Sequence, residues 1–380
     1  KRWLDMRYLH RLRTVECALV AITCVWVCGH CSQERAAVLV LVLCSGAAAE
    51  CRADASSSWR QARSGALLGV SLMPMLFAPR EGQLSSQCFW LSVFCSLHVS
   101  LRADGPSFLS FAAPLAMLFF RFDAGLVFAD HVLAVPLVAC MVTVCCCQQI
   151  MPRTFTLGEA TLVGQAWALL QMAMLLFAHG SLTLTKLRKV ILIGIFVPST
   201  FAAAAIVLAH FRAATTPSML VVYYASGVGA VFLMFAWMSM AIGENSISWL
   251  VDYMTRRSMV PVQLTCYWLL VLTVGLWLLL PRLAPILPRI VVRKYFHLLL
   301  LLLMVPAILL HLRFASLVLA VAFSIFVALE ALRVARVQPL ADALDGYFVS
   351  FRDERDKGTL VVHASPSFAR LWLVFTAQLP

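Results

Sequence analysis

Charged residues are scarce in this sequence. They make up 13% of the 380 residues, about half the share that is usual in soluble domains. Hydrophobic residues make up 62%, which is more than the interior of a water-soluble fold can bury. Apolar runs of near bilayer-spanning length recur from end to end, and they are continuous rather than alternating, which excludes a β-barrel. We therefore predict an all-α fold, a polytopic transmembrane helical bundle with about 10–12 membrane helices.

The apolar runs are separated by short charged interruptions, without a long linker or an internal repeat. The predicted spans are Val15–Cys28, Ala36–Ala49, Gly65–Ala78, Cys88–Leu101, Phe108–Phe120, Leu126–Cys147, Leu162–Phe177, Val190–His210, Met219–Ile242, Leu264–Leu280, Leu298–Leu312 and Ala315–Leu332.

The sequence also lacks the common signatures of soluble nucleotide and zinc sites. It has no Walker-type glycine-rich loop with its lysine and no zinc-ligand spacing. Cys28-Gly29-His30-Cys31 spells a dithiol redox motif, but it ends an apolar helix and no strand-helix-strand pattern surrounds it. The 13 cysteines are scattered through apolar segments, so no disulfide framework is indicated. The formal charge of +12 comes from Lys and Arg at the ends of apolar runs, where they orient helices in a membrane, so we expect no nucleic-acid partner.

The last two predicted spans are separated only by Arg313 and Phe314, which predicts a helical hairpin with both outer flanks on one side of the membrane. One basic residue lies at the turn and nine lie on the flanks, a distribution that indicates a cytosolic location for the flanks. The nine are Arg282, Arg289, Arg293, Lys294, Arg333, Arg336, Arg352, Arg355 and Lys357.

Acidic residues are rare and concentrate at the end of the chain. Of 18, six fall within the last 51 residues: Glu330, Asp342, Asp345, Asp353, Glu354 and Asp356. Carboxylates beside cations suit phosphoryl transfer, because carboxylates hold the divalent ion and cations neutralise the transferred oxygens. The alternative is that Asp353 to Asp356 is a solvated charge run followed by Gly358.

The segment after Pro339 has apolar residues at helical spacing, with Asp342 and Asp345 on the opposite stripe, which predicts a helix in the membrane interface. Upstream, Arg293 and His297 share one face of a helix start beside Lys294, either as site residues or as boundary anchors. Glu330 lies near the end of an apolar helix one turn before Arg333, so it either pairs for structure or serves a site.

Three stretches together resemble the first part of the catalytic region of the dolichol kinase (polyprenol kinase) family. They are Arg293-Lys294-Tyr295-Phe296-His297 before a Leu-rich helix, Leu329-Glu330-Ala331-Leu332-Arg333 with Pro339-Leu340, and Phe351-Arg352-Asp353-Glu354-Arg355-Asp356-Lys357-Gly358. The resemblance divides the chain into an N-terminal multi-pass region, 1–290, and a partial catalytic region, 291–380.

The resemblance implies phosphorylation of dolichol to dolichyl phosphate in support of protein glycosylation. It implies CTP as donor, a divalent cation (Mg or Ca) as cofactor, and a multi-pass location in the endoplasmic reticulum membrane with the catalytic face in the cytosol. It makes Asp353, Glu354, Arg355, Asp356 and His297 candidate catalytic residues. Asp353 and Asp356 are also candidate metal ligands, and Arg293, Lys294, Glu330 and Gly358 are candidate substrate-binding residues.

The sequence departs from the family pattern after Gly358, where His363 is a displaced counterpart of a family histidine. The Gly-Asp element and the Lys-Lys followed by Glu-Gly-Thr that the family uses for CTP do not occur before Pro380. We therefore expect a truncated chain that lacks kinase activity as it stands.

Other functions fit the same residues. One is a related CTP-using prenol kinase or a cytidylyltransferase of membrane lipids. Another is a multi-pass transporter, for which Asp130 and His131 would form part of an ion path. A third is an inactive fragment with a structural influence only.

Overall fold

The structure is a computed structural model that describes residues 17–53, 65–102, 110, 112, 131–211, 217–256, 258–278 and 289–349. Every regular element in these ranges is an α-helix. The helices are α1 (Cys17–Cys28), α2 (Gln33–Ala53), α3 (Ala66–Phe77), α4 (Gln83–Leu101), α5 (His131–Gln149), α6 (Leu157–Ala178), α7 (Lys186–Phe211), α8 (Pro217–Ile242), α9 (Ser246–Thr255), α10 (Val260–Leu278), α11 (Arg289–Val334) and α12 (Leu340–Val349).

The described helices form two compact units, α1–α6 up to Leu182 and α7–α12 from Thr183. This boundary differs from the division at residue 290, which rests on the family resemblance and stays a prediction.

The first unit is held by close backbone approach and by buried polar contacts. A Cβ at Gly69 of α3 would strike the backbone of Gly158 in α6, so only glycine lets these helices touch, as is common between membrane helices. Nearby, Gln165 Nε2 of α6 donates to Ser96 Oγ of α4 at 2.8 Å, and Ser96 Oγ donates to the Val70 carbonyl of α3 at 2.6 Å. These contacts satisfy polar groups that apolar surroundings would otherwise leave unpaired.

In the second unit, α7 and α8 are antiparallel and the end of α11 packs along α7. Lys186 pairs with Glu244 at one end of the α7–α8 pair, and Tyr223 packs against Ala205 near the other. Ser324 Oγ of α11 donates to the Gly194 carbonyl of α7 at 2.7 Å. The first part of α11 instead packs antiparallel to α10, where Trp268 Nε1 donates to the Leu303 carbonyl at 2.7 Å and Tyr295 Oη to the Gly275 carbonyl at 3.2 Å.

Helix α11 is broken at His311, whose φ of −155° and ψ of 75° are non-helical. The Phe314 amide donates to His311 Nδ1 at 3.1 Å, so His311 caps the helix that begins after the break. Unbroken, the 46 residues would extend about 69 Å, more than twice the hydrocarbon thickness of a bilayer. A break near the predicted turn is confirmed, two residues before Arg313, and the hairpin topology itself stays a prediction.

The all-α polytopic class is confirmed. Six described helices are long and apolar enough to cross a membrane, or seven if α9 and α10 together form one span. This number is smaller than the predicted 10–12 for physical reasons. Helices α1 and α3 have 12 residues each, and α2 contains four charged residues, Glu34, Arg35, Glu50 and Arg52. The two segments of α11 count as one helix where two spans were predicted. The predicted span Phe108–Phe120 lies mostly outside the described residues.

Helix α9 corrects the sequence analysis, which assigned no helix between Ile242 and Leu264. Asn245 starts it, because its Oδ1 accepts from the amides of Ile247 at 3.0 Å and Ser248 at 3.2 Å. An Asn side chain that accepts hydrogen bonds from the first backbone amides of a helix is a strong N-cap. The apolar periodicity of α9 is too short to stand out beside the long spans.

Candidate functional site

A buried ion pair closes the last turn of α11. Glu330 and Arg333 are only 6% and 4% exposed. Arg333 donates Nε to Glu330 Oε2 at 2.8 Å and Nη2 to Oε1 at 2.7 Å. The two residues are one helical turn apart, so the helix itself brings the guanidinium to the carboxylate. This bidentate geometry is the strongest form of the Arg–carboxylate contact. Of the two alternatives for Glu330, the structure shows the pairing, and a role in a site stays a prediction.

The chain reverses after this pair through a helix-ending motif at Arg336. The Val337 amide donates to the Leu332 carbonyl at 3.0 Å, and the Arg336 amide to the Arg333 carbonyl at 3.0 Å. Arg336 has a φ of +55°, the left-handed conformation that this motif requires and that glycine usually supplies. Val337 is fully buried and packs with Leu332, which is the apolar contact that accompanies such a helix end.

Helix α12 then returns Asp345 to the ion pair. Arg333 Nη1 donates to Asp345 Oδ1 at 2.8 Å, so one guanidinium joins two carboxylates from two helices. At the start of the helix, Gln338 Nε2 donates to Asp342 Oδ1 at 2.7 Å. The predicted helix after Pro339 is confirmed as far as Val349, with Asp342 exposed and Ala341 buried.

Apolar packing fixes the position of this reversal on the second unit. Ala331, Ala335 and Val337 pack against Ala202 and Ala205 of α7. Tyr224 Oη of α8 also donates to the Gln338 carbonyl at 2.9 Å. Helices α7, α8 and α11 therefore hold the turn in place, and their packing fixes the position of Arg333 relative to its partners.

The cluster carries more negative than positive charge. Two carboxylates, Glu330 and Asp345, share one guanidinium, which leaves a formal charge of −1. Glu330 is buried with both oxygens bound to Arg333, so it is unsuited to bind a ligand directly. The Asp345 side chain is 46% exposed and has a second oxygen for a proton, a cation or a hydroxyl group.

The predicted cationic group lies at the other end of α11. Lys294 is exposed in the second turn, and its neighbour Tyr295 anchors that turn to Gly275 of α10. Among the described residues, Lys294 makes no hydrogen bond or ion pair with Glu330, Arg333 or Asp345. The side chains of Arg293 and His297 fall outside the described part of the chain.

The predicted catalytic run, Asp353, Glu354, Arg355 and Asp356, and the predicted Gly358, lie outside the described residues. Within the described ranges, no three His, Cys, Asp or Glu side chains are placed to hold a metal ion. The described residues alone therefore do not form a divalent-cation site, and the metal prediction depends on Asp353 and Asp356.

Two members of the observed cluster were absent from the predicted site. On the sequence alone, Arg333 is a flanking cation and a partner of Glu330, and Asp345 is one of the acidic residues near the end of the chain, but neither is predicted as a site residue. The i, i+3 spacing of Glu330 and Arg333 was a usable signal. No signal in the sequence indicated the Arg333–Asp345 contact, because this contact depends on a left-handed backbone conformation at Arg336.

Comparisons with known proteins agree with the family that the sequence resembles. The chain is 30% identical over 131 residues to a protein of Arabidopsis thaliana named dolichol kinase EVAN, a match that covers 33% of this chain and 23% of that protein. It is 26% identical over 235 residues to the dolichol kinases of Homo sapiens and Bos taurus, covering 56% of this chain and 41% of each relative. The chain is therefore similar to dolichol kinases over about half of its length.

The chain thus spans less than half the length of the curated dolichol kinases that it matches. No family model matches the sequence. No solved structure matches it either.

Proposed function

We propose that this chain provides part of a CTP-dependent dolichol kinase, which converts dolichol to dolichyl phosphate for protein glycosylation. The observation that carries the proposal is the similarity to curated dolichol kinases from a plant and from mammals. The membrane-spanning helices support it, because a polyprenol substrate is dissolved in the bilayer.

In the proposed reaction, the hydroxyl oxygen of the lipid attacks the γ-phosphorus of CTP. A phosphorus–oxygen bond forms to the lipid, the bond to the CDP oxygen breaks, and the hydroxyl proton passes to a carboxylate of the Asp353 to Asp356 run. The products are dolichyl phosphate and CDP. A divalent cation, Mg or Ca, held by Asp353 and Asp356 would supply charge stabilisation on the phosphates.

The cationic residues have a complementary role in this proposal. Arg293 and Lys294 contact phosphate oxygens, with His297 and Arg355 beside them, and Gly358 lets the backbone approach the substrate. Glu330 acts as a positioning residue, because its carboxylate orients the Arg333 guanidinium that holds Asp345.

We further propose that these groups face the cytosol at the endoplasmic reticulum membrane, where CTP is available. The distribution of basic residues around α11 supports this orientation. The partners are then the bilayer, a dolichol or related polyprenol, and CTP.

The test uses membranes that contain a full-length protein that includes this chain, with dolichol and with CTP labelled at the γ-phosphate or, in a parallel sample, in the cytidine. A kinase transfers the γ-label to the lipid and leaves the cytidine in solution. Cytidine on the lipid would indicate a cytidylyltransferase and contradict the proposal, as would the absence of both labels. Asp353→Asn should abolish transfer, whereas Asp252→Asn, on the separate helix α9, should retain it.

A further inference from the structure

Helix α9 connects α8, which is long and apolar enough to cross a membrane, to α10. Helix α10 has 19 residues, about 28 Å, which is close to the hydrocarbon thickness. The axis of α9 is bent by 93° from that of α10. When α10 crosses the membrane along its normal, this bend therefore places α9 roughly parallel to the membrane surface.

Hydrogen bonds fix α9 to the end of α8, so its direction is set by the fold. Helix α8 ends at Gly243, whose φ is +76°. The Ser246 amide then donates to Ser239 Oγ at 3.0 Å, and Ser246 Oγ donates to the Phe235 carbonyl at 3.3 Å. These two bonds attach the first turn of α9 to the last turns of a 26-residue span.

The faces of α9 have different chemistry. Ile247, Leu250 and Val251 recur at helical spacing and are 59%, 37% and 54% exposed. Tyr253 and Met254 pack instead against the core formed by α10 and α11. The remaining face is polar and carries Ser248, Asp252, Thr255 and Arg256. An exposed apolar stripe beside a polar face is the pattern of a helix that lies at the acyl–headgroup boundary.

A cationic surface adjoins this helix. Lys186 at the start of α7 pairs with Glu244 at 2.6 Å, and Lys189 Nζ donates to the Ala241 carbonyl at 2.8 Å. These contacts place the basic first turn of α7 beside the start of α9. The basic residues Lys186, Arg188, Lys189 and Arg256 outnumber the acidic residues Glu244 and Asp252, which leaves a formal charge of +2.

We propose that α9 and the first turn of α7 form a docking surface for anionic glycerophospholipid headgroups. Ile247, Leu250 and Val251 enter the acyl boundary, while Arg188 attracts lipid phosphate and carboxylate groups. Lys186 and Arg256 add to this attraction although each also pairs with a carboxylate, Arg256 with Asp252 at 3.0 Å. Trp249 stacks on Tyr253 with ring centroids 5.4 Å apart, and tryptophan is enriched at membrane interfaces. This surface belongs to helices outside the proposed kinase site and does not depend on that activity.

The first experiment measures lipid retention by the purified protein in mild detergent, using native mass spectrometry. Dioleoylphosphatidylserine is compared with dioleoylphosphatidylcholine, which has the same acyl chains and no net charge. We expect several-fold preferential binding of the anionic lipid. The double variant Arg188→Gln/Arg256→Gln should bind the two lipids about equally, while Arg188→Lys/Arg256→Lys should keep the preference. Equal preference in the Gln variant and the parent protein would overturn the proposal.

The second experiment identifies what covers the apolar stripe. A benzophenone amino acid at position 251, in place of Val251, is activated by light in native membranes. We expect adducts to phospholipid, and fewer from the same group at Ser248 on the polar face. An adduct to a second protein, or equal lipid adducts from both positions, would overturn the interfacial assignment. Helical circular dichroism and a single elution peak show that each variant has folded.

Discussion

Arg333 and Asp345 are 12 positions apart in the sequence, yet Nη1 of the arginine lies 2.8 Å from Oδ1 of the aspartate. The contact joins the end of a membrane helix to the helix that follows it. The same guanidinium binds the buried Glu330, so a single cation controls the geometry of two carboxylates in the region of the candidate site.

Removal of the shared cation should be strongly destabilising. In Arg333→Met, the carboxylate of Glu330 stays buried without its partner, which costs about 3–5 kcal/mol. Thermal unfolding in detergent, followed by tryptophan fluorescence, measures the loss. The double variant Arg333→Met/Glu330→Leu should recover much of it, because the buried carboxylate is then removed as well and only the half-exposed Asp345 loses its partner. A double variant as unstable as the single one would show that the ion pair is not the cause.

The two carboxylates of α12 should respond differently to neutralisation. Asp345→Asn removes an ionic contact of a half-exposed side chain, so we expect a stability loss of about 0–1 kcal/mol. Its larger effect should be on lipid phosphorylation, with a decrease in kcat and little change in the KM for CTP, because the side chain loses its fixed position. Asp342→Asn is the matched control on the same helix, since Asp342 contacts Gln338 rather than Arg333. Equal kinetics for both variants would exclude a special role for Asp345.

The sequence was sufficient to predict those parts of the second unit that depend on local spacing. The apolar runs predicted the membrane helices, and the spacing of Glu330 and Arg333 predicted their pairing. The helix after Pro339 was likewise visible from its periodicity. Each of these features is set by neighbours within about one or two helical turns.

Features that depend on a single backbone angle were not predictable in the same way. The return of Asp345 requires a left-handed Arg336, and the break of α11 lies at His311 rather than at Arg313. Both residues are uncommon choices for their positions, where glycine or a small polar cap is usual. The contact between Gly69 and Gly158 could not be predicted from the sequence either, because it joins helices that are far apart in the sequence.

The left-handed residue at the end of α11 offers a direct test of the helix reversal. Arg336→Gly should stabilise the protein by about 1 kcal/mol, because glycine adopts this conformation without the cost that a Cβ imposes. Arg336→Val should be destabilising, since a β-branched side chain is poorly tolerated at positive φ. Thermal unfolding of both variants beside Arg336→Ala separates the backbone effect from loss of the charge. A Gly variant less stable than the Ala variant would contradict the observed turn.

The proposed site requires that Lys294 and Asp353 lie on the same side of the membrane. Nine basic residues flank the two segments of α11 and one lies near its break, so the positive-inside rule predicts that both flanks are cytosolic. Short N-glycosylation acceptor tags with flexible spacers can be inserted before Arg289, after Arg313 or after Lys357. Because glycosylation occurs only in the lumen, the tag after Arg313 should be modified and the other two should not. Modification of a single flanking tag would place Lys294 and Asp353 in opposite compartments, and the two could not then share one nucleotide.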